Sequence, residues 1–187
     1  ITSLTATDPN AVVCRRFYDL SRELMLRRAE WSFAIRRSTP AQLADPSYGP
    51  WAHAYDLPAD CLQVLDVNGV DPSQSADPPF AMENRSILSD DDEMQVRYIA
   101  NVDDPNAYPA DFIEAFSMLL AAKMAATLTN DLGLGQGLYQ VFENDLLPDA
   151  IANNANESRG TRVDVVQESD LVAVRRFGGG SGGLYGL

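Results

Sequence analysis

The segment from about Pro109 to Asp131 constrains the fold most, because it predicts a long helix with almost no charge. Between Ala115 and Asn130 the only charged residue is Lys123. A helix that is apolar on every side must be covered by a protein core or by an interface. Small residues at four of its positions would allow neighbouring helices to come close: Ala121, Ala122, Ala125 and Ala126.

Another helix, which is amphipathic, is predicted from about Asp8 to Glu30, with Asp8 as its N-cap and Pro9 at its first position. Large apolar side chains recur in it at helical spacing. They predict one core-facing stripe: Val13, Phe17, Leu20 and Leu24. Trp31 and Phe33 follow this helix, and their alternate spacing predicts that both rings close one end of the core.

Between these two helices the sequence predicts a long loop and then a small antiparallel β region. The prolines and glycine of residues 38–60 indicate the loop, and the β region is expected at about 61–102. The clearest strand spans 94–102, where apolar residues alternate with polar ones. Another strand is predicted at 62–70, with a turn near Asn68 and Gly69, and residues 80–88 are predicted as one extended segment.

The predicted fold class is therefore α+β. We expect an antiparallel helix bundle with the β region inserted between its first and second long helices. Gly133, Gly135 and Gly137 should end the apolar helix. A further helix is expected from about Gln136 to Asn156, kinked or divided by Pro148. A helical domain over residues 1–156 is then followed by an extended C-terminal arm over 157–187.

The C-terminal arm has the composition of a segment that orders on a partner. It ends in a glycine-rich stretch, FGGGSGGLYGL, that is unlike the rest of the chain. Its apolar residues would gain nothing in water, which favours a docking role: Phe177, Leu184, Tyr185 and Leu187. A plain linker or disorder is the alternative.

The net charge of −13 is unevenly distributed. Residues 1–37 carry seven arginines and four acidic residues, whereas residues 38–156 carry three basic and nineteen acidic residues. An acidic body with one basic helix is poorly suited to bind a polyanion over its surface. It is suited to pack against copies of itself, and the candidate interface residues are Arg15, Arg16, Arg27 and Arg28. Solvated surface charge is the alternative.

The sequence lacks the patterns expected of an enzyme or a metal site. His53 is the single histidine, and nothing pairs it with Cys14 or Cys61 as a nucleophile or a zinc ligand set would require. The acidic run Asp90–Glu93 could attract calcium, but it lacks the interleaved spacing and glycine of a calcium loop. We therefore expect no catalysis, no cofactor and no bound metal, and two buried cysteines typical of a reducing compartment.

Membrane insertion and secretion are not expected either. We find no uninterrupted run of about 18 apolar residues of the kind that a membrane helix needs. The first residues, ITSLTATDPN, lack the basic start and apolar stretch of a signal peptide.

The order of motifs resembles a known family, the tail tubular protein A or head-to-tail adaptor proteins of short-tailed bacteriophages. The similar segments are spread over most of the chain. They are Ile1–Leu4, Cys14–Asp19 with Arg22–Glu23 and Leu26–Arg27, Trp31–Ala34, Tyr55–Leu62 (YDLPADCL), Arg97–Ile99, and the alanine-rich helix from Phe112 to Thr129.

The resemblance implies a structural virion protein, made in the host cytoplasm, that joins the portal to the tail. Such adaptors form a homo-oligomeric ring, typically of about twelve copies, in which each subunit uses two different surfaces. The ring contacts the portal protein on one side and the tail tube or nozzle on the other. DNA leaves through its channel without sequence-specific binding, and an acidic channel wall would let it slide. The apolar residues of the C-terminal arm would dock on the portal.

Two other functions compete with this interpretation. A non-virion assembly or head-completion factor would be a soluble protein-binding module that is absent from mature particles. A small metal-dependent enzyme using Asp90–Glu93 would bind divalent metal and lose it when Asp91 and Asp92 are changed. The absence of a nucleophile pattern makes the enzyme the weakest of the three.

Overall fold

The computed structural model describes residues 7–44 and 49–159, which form a mixed structure of helices and two small antiparallel sheets. The predicted α+β class is confirmed. In chain order the elements are α1 (Pro9–Leu26), β1 (Ile35–Ser38), β2 (His53–Asp56), β3 (Cys61–Val67), β4 (Phe80–Glu83), β5 (Ser86–Ser89), β6 (Val96–Ala100), α2 (Ala110–Thr129), α3 (Leu132–Val141), a π-helical turn (Phe142–Leu146) and α4 (Leu147–Arg159).

The strands form two sheets of three strands each. One has the order β1-β6-β3, and the other has the order β2-β5-β4. The buried face predicted for residues 94–102 is confirmed, since Met94, Val96, Tyr98, Ala100 and Val102 are all buried, but the alternation is incomplete because Ile99 on the other face is also buried. These side chains therefore attach the first sheet to the core.

The β region is larger than the sequence suggested. β1 pairs with β6, and β2 lies inside the stretch predicted as a loop, where it pairs with β5. The single extended segment predicted at 80–88 is wrong, because β4 and β5 form a hairpin. Asn84 and Arg85 make its two-residue turn with φ of 44° and 64°, the left-handed conformation that tight hairpins require. The predicted turn at Asn68 and Gly69 is confirmed, with φ of 50° and 81°.

An aromatic cluster joins the end of α1 to α2. Trp31 lies with its ring centroid 5.1 Å from that of Phe112, and Phe33 lies 5.0 Å from the same ring. The indole nitrogen of Trp31 donates a 2.9 Å hydrogen bond to the carbonyl oxygen of Met25, which satisfies the one polar group of the buried ring. The two rings thus occupy the position predicted for them, although a short 3₁₀ turn connects them (Ser32–Ala34).

The predicted orientation of α1 is wrong. Its buried face carries Ala11, Cys14, Ser21, Arg22 and Met25, whereas Leu20 and Leu24 are 55% and 42% exposed. The two faces lie about a third of a turn apart, since successive residues rotate by about 100°. Small side chains on this face allow α1 to approach α2. The prediction used only the spacing of large apolar residues and therefore did not include them. Val13 and Phe17, the other members of the predicted stripe, are half-buried.

Glu23 lies four residues before Arg27, the spacing and order that favour a helical ion pair, but the two form none within the described residues. Glu23 instead accepts a 3.4 Å hydrogen bond from the side-chain amide of Asn101, in the loop after β6. An ion pair within α1 joins Arg22 to Asp19 at 3.1 Å.

The helices after α2 also differ from the prediction. α2 ends at Thr129 with Asn130 in the left-handed conformation, and Asp131 caps α3 by accepting from the backbone N–H groups of Gly133 and Leu134. The glycines therefore lie inside α3 and do not precede it. Pro148 is the second residue of α4 and directly follows the π-helical turn, which is the irregularity in this continuous run of helix.

Among the described residues, α2 is the one helix that is long and apolar enough to cross a membrane by length and composition. Only 39% of its apolar window is buried inside the structure. This is weak evidence for a membrane span, because the core helix of a soluble protein passes the same test. It does show that much of α2 lacks a cover within the described chain.

Candidate protein-interaction surfaces

The four arginines predicted at a subunit interface have different environments. Arg16 and Arg27 are exposed, and their side chains have no ion pair or hydrogen bond with any of residues 7–44 and 49–159. Arg15 is also exposed but is engaged in an interaction within the structure. Arg28 is fixed by an internal ion pair. Of these four arginines, Arg16 and Arg27 are therefore the two that are available to a partner.

Arg28 connects the end of α1 to the helices after α2. Its guanidinium forms an ion pair with Glu143 of the π-helical turn and a 3.3 Å hydrogen bond with the hydroxyl of Tyr139. Tyr139 in turn donates a 2.5 Å hydrogen bond to Glu143. This bond to the carboxylate, with partial burial and the negative charge of Glu143, raises the pKa of Tyr139. Sequence reasoning missed this link, because the ion-paired residues are 115 positions apart.

The residues of α1 that were predicted to face the core form a separate apolar surface. Val13, Phe17, Leu20 and Leu24 recur at helical spacing, and we call them the α1 stripe. Helical geometry places Arg16 and Arg27 along one side of this stripe. The surface therefore combines partly exposed apolar side chains with two unpaired positive charges.

A groove of about 370 Å³ lies between α2 and α3. We call it the α2–α3 groove, and its lining residues are Ser117, Leu120, Ala121, Met124, Ala125, Leu128, Thr129, Leu134 and Leu138. Leu128 and Leu134 are each 42% exposed. No charged side chain is among these lining residues. The two helices are in close contact beside this groove, because a Cβ atom at Gly135 would lie only 3.1 Å from the carbonyl oxygen of Ala122.

The opposite side of the α2–α3 pair is also open. A second groove of about 450 Å³ is lined in part by Lys123, Leu132 and Tyr139. Leu132, at the turn between the two helices, is 73% exposed, the largest exposure among the large apolar residues of the described chain. The end of this helix pair thus presents apolar side chains on both sides, which is typical of a surface that a partner covers.

The acidic run and His53 form a local structural network. Asp90 accepts a 2.9 Å hydrogen bond from the backbone N–H of Ala52, and Asp92 lies 2.9 Å from Nε2 of His53. Asp91 accepts from the side-chain amide of Asn68 at 2.8 Å. These contacts join the loop before β6 to β2 and to the turn after β3. Within the described ranges, no group of three or more potential ligands could hold a metal ion.

The motifs that carry the resemblance also have structural roles here. Asp60 of the YDLPADCL segment accepts hydrogen bonds from Arg36 at 2.6 Å and from the hydroxyl of Tyr98 at 3.1 Å. Arg97 bridges Asp66 at 2.5 Å and Glu30 at 3.0 Å, and the hydrogen bond to Asp66 is the main cause of the raised pKa of Arg97. These contacts fix the first sheet to the end of α1.

Both cysteines are free and buried, as expected, and burial raises the pKa of the Cys61 thiol. The predicted portal-docking residues lie outside the described residues: Phe177, Leu184, Tyr185 and Leu187.

A scan against protein-family models found no match, and no curated protein matches the sequence.

Proposed function

We propose that this chain is a structural virion protein, a head-to-tail adaptor that forms a ring between the portal and the tail of a short-tailed phage. The main support is the presence of two different uncovered apolar surfaces on one subunit, the α1 stripe and the α2–α3 groove. A closed ring of identical subunits uses head-to-tail contacts, so each subunit needs two distinct surfaces. The order of sequence motifs supports the same assignment.

The proposed architecture extends the observed α+β fold. In it the helices form an antiparallel bundle from which the β region projects, and the C-terminal arm reaches the portal. The contacts of α2 with α1, α3 and α4 support the bundle, since α2 is the helix that all three share. The apolar residues of the arm support the docking role.

The channel and the tail-side contact follow from the same proposal. Residues 38–156 carry nineteen acidic and three basic residues, so a channel wall that they line would repel DNA and let it pass. The tail tube or nozzle protein would contact the ring on the side away from the portal. We propose no sequence-specific DNA contact, no membrane contact, no cofactor and no catalytic role.

Light scattering of the purified chain, alone and mixed with the portal protein of the same particle, tests the proposal. We expect a ring-sized complex with portal at low salt and less of it at moderate salt, because screening weakens contacts between exposed charges. Deleting residues 177–187 should abolish the complex while leaving the far-ultraviolet circular dichroism of the chain unchanged.

A chain that stays monomeric with and without portal would contradict the adaptor proposal. Absence from purified particles together with that result would favour the non-virion assembly factor. Equal portal binding with and without residues 177–187 would contradict only the docking role of the arm.

A further inference from the structure

The α1 stripe and the α2–α3 groove are similar in length. The stripe runs from Val13 to Leu24, which is eleven residue steps, and the α2 side of the groove runs from Ser117 to Thr129, which is twelve. At 1.5 Å per residue, they extend over about 16 Å and about 18 Å. A helix laid along the groove would therefore use the whole stripe.

Their shapes also fit. Ser117, Ala121 and Ala125 are small residues at helical spacing in the groove, whereas Leu128 and Leu134 are larger and exposed. The α1 stripe presents large side chains, with Leu20 as its most exposed member. Ridges of large side chains pack into grooves between helices, which is the usual mode of helix packing.

The charges beside the two surfaces are opposite. Arg16 and Arg27 flank the stripe and have no side-chain partner within the described ranges. Glu114 lies one turn before Ser117 on α2, is exposed, and also lacks a partner there. Asp131, the exposed N-cap of α3, lies three residues before Leu134. Charges arranged in this way favour contact between the two surfaces and disfavour contact of either surface with itself.

The α1 helix cannot use the groove of its own chain, because it already packs against α2 through another face. Its Tyr18 ring lies 5.3 Å from the ring of Phe116, edge to face. Phe116 is buried, whereas Ser117, beside it on α2, lines the groove. The occupant of the groove must therefore come from outside this packing.

We propose that the α1 stripe of one copy packs into the α2–α3 groove of the next copy. This inference rests on the proposed ring and assigns the two surfaces of its repeated contact. The contact is heterologous, so each copy offers one stripe and one groove, and a chain of copies grows until it closes.

Mixing two variants, each with one disabled surface, tests this pairing. The stripe variant carries Leu20→Asp and Leu24→Asp, and the groove variant carries Leu128→Asp and Leu134→Asp. The control is Met82→Asp, since Met82 of β4 is 46% exposed and belongs to neither surface. Circular dichroism spectra that match the wild type establish that each variant is folded.

Light scattering is measured at concentrations where the wild type self-associates. We expect each double variant to be monomeric alone and the equimolar mixture to form a heterodimer of twice the 20.4 kDa mass of one chain. The heterodimer cannot grow, because only one intact stripe and one intact groove remain between its two chains. The Met82→Asp control should assemble like the wild type.

Several results would overturn the pairing. Dimers of the groove variant alone would show contact between two stripes, and dimers of the stripe variant alone would show contact between two grooves. A mixture that stays monomeric, or a wild type that is monomeric at every concentration, would also exclude it. The pairing would also be excluded if the wild type bound phosphatidylcholine vesicles and only the groove variant lost this binding. A lipid surface would then cover the groove.

Portal binding separates failure of this inference from failure of the adaptor proposal. If the wild type forms rings on the portal but the two variants form no heterodimer, the pairing is contradicted and the adaptor proposal is not. If the two variants form a heterodimer but the wild type does not bind the portal, the adaptor proposal is contradicted and the pairing is not.

Discussion

Shortening two neighbouring side chains of α1 should have very different effects on stability. Met25 is fully buried in the core, and its carbonyl oxygen accepts the hydrogen bond of Trp31, whereas Leu24 is 42% exposed. Met25→Ala should lower the free energy of unfolding by about 3 kcal/mol, through lost burial and a cavity. Leu24→Ala should lower it by about 1 kcal/mol or less, because part of the side chain is already in water and no closed cavity forms.

Helix propensity does not account for the difference, since leucine, methionine and alanine are all good helix formers. The free energies are measured by urea unfolding, followed by far-ultraviolet circular dichroism. The protein concentration is kept below that of self-association, because assembly would stabilise the folded chain. Equal losses for the two variants, or a larger loss for Leu24→Ala, would refute the orientation of α1 and with it the exposed stripe.

Three further predictions concern charge and pH. Arg16→Glu with Arg27→Glu should reduce assembly at least tenfold by light scattering, because two unpaired cations beside the contact become anions. Arg28→Met should leave assembly intact and cost about 0.5–1 kcal/mol in urea unfolding, since it removes a partly exposed ion pair. The third concerns Tyr108, whose buried hydroxyl donates a 2.7 Å hydrogen bond to the carbonyl oxygen of Val102 and whose pKa is raised by burial to about 12. The folded state thus favours the protonated form. The resulting stability, up to about 2–3 kcal/mol, is present below pH 10 and is lost as the pH rises towards 12 in alkaline unfolding.

Matched variants control these three predictions. Arg37→Glu changes another exposed arginine, on β1, and should leave assembly unchanged. An Arg28→Met protein that no longer assembles would show that Arg28 belongs to the contact. Tyr108→Phe should flatten the stability profile between pH 10 and 12, and an unchanged profile would refute the assigned pKa.

The sequence predicted the elements whose patterns are local. The alternation of apolar and polar residues predicted β6, and the nearly uncharged stretch of α2 predicted a helix that must be covered by a core or an interface. The cap of α1 was equally clear, since Asp8 accepts from the backbone N–H groups of Asn10 and Ala11.

Features that depend on distant residues were missed. β1 and β2 are short and only partly buried. Pairing of β1 with β6 and of β2 with β5 stabilises them more than their own composition does. The orientation of α1 was missed because Cys14 and Ser21 contribute little apolarity and yet lie on the buried face of the helix.

The candidate surfaces were only partly predictable. The sequence identified arginines of α1 as candidate contacts, but it could not show that Arg28 is held by Glu143. It indicated that α2 faces a core or an interface, and only the packing of α3 showed which residues stay uncovered. The pattern of α1 predicts that its leucines face the core, so a second apolar surface could not be predicted.

The ratio of this chain to the portal protein in purified virions tests the central claim most directly. Quantitative mass spectrometry of washed particles should give about one copy per portal subunit, because a ring stacked on the portal shares its axis. A chain that is absent from particles, or present far below that ratio, would contradict the adaptor function.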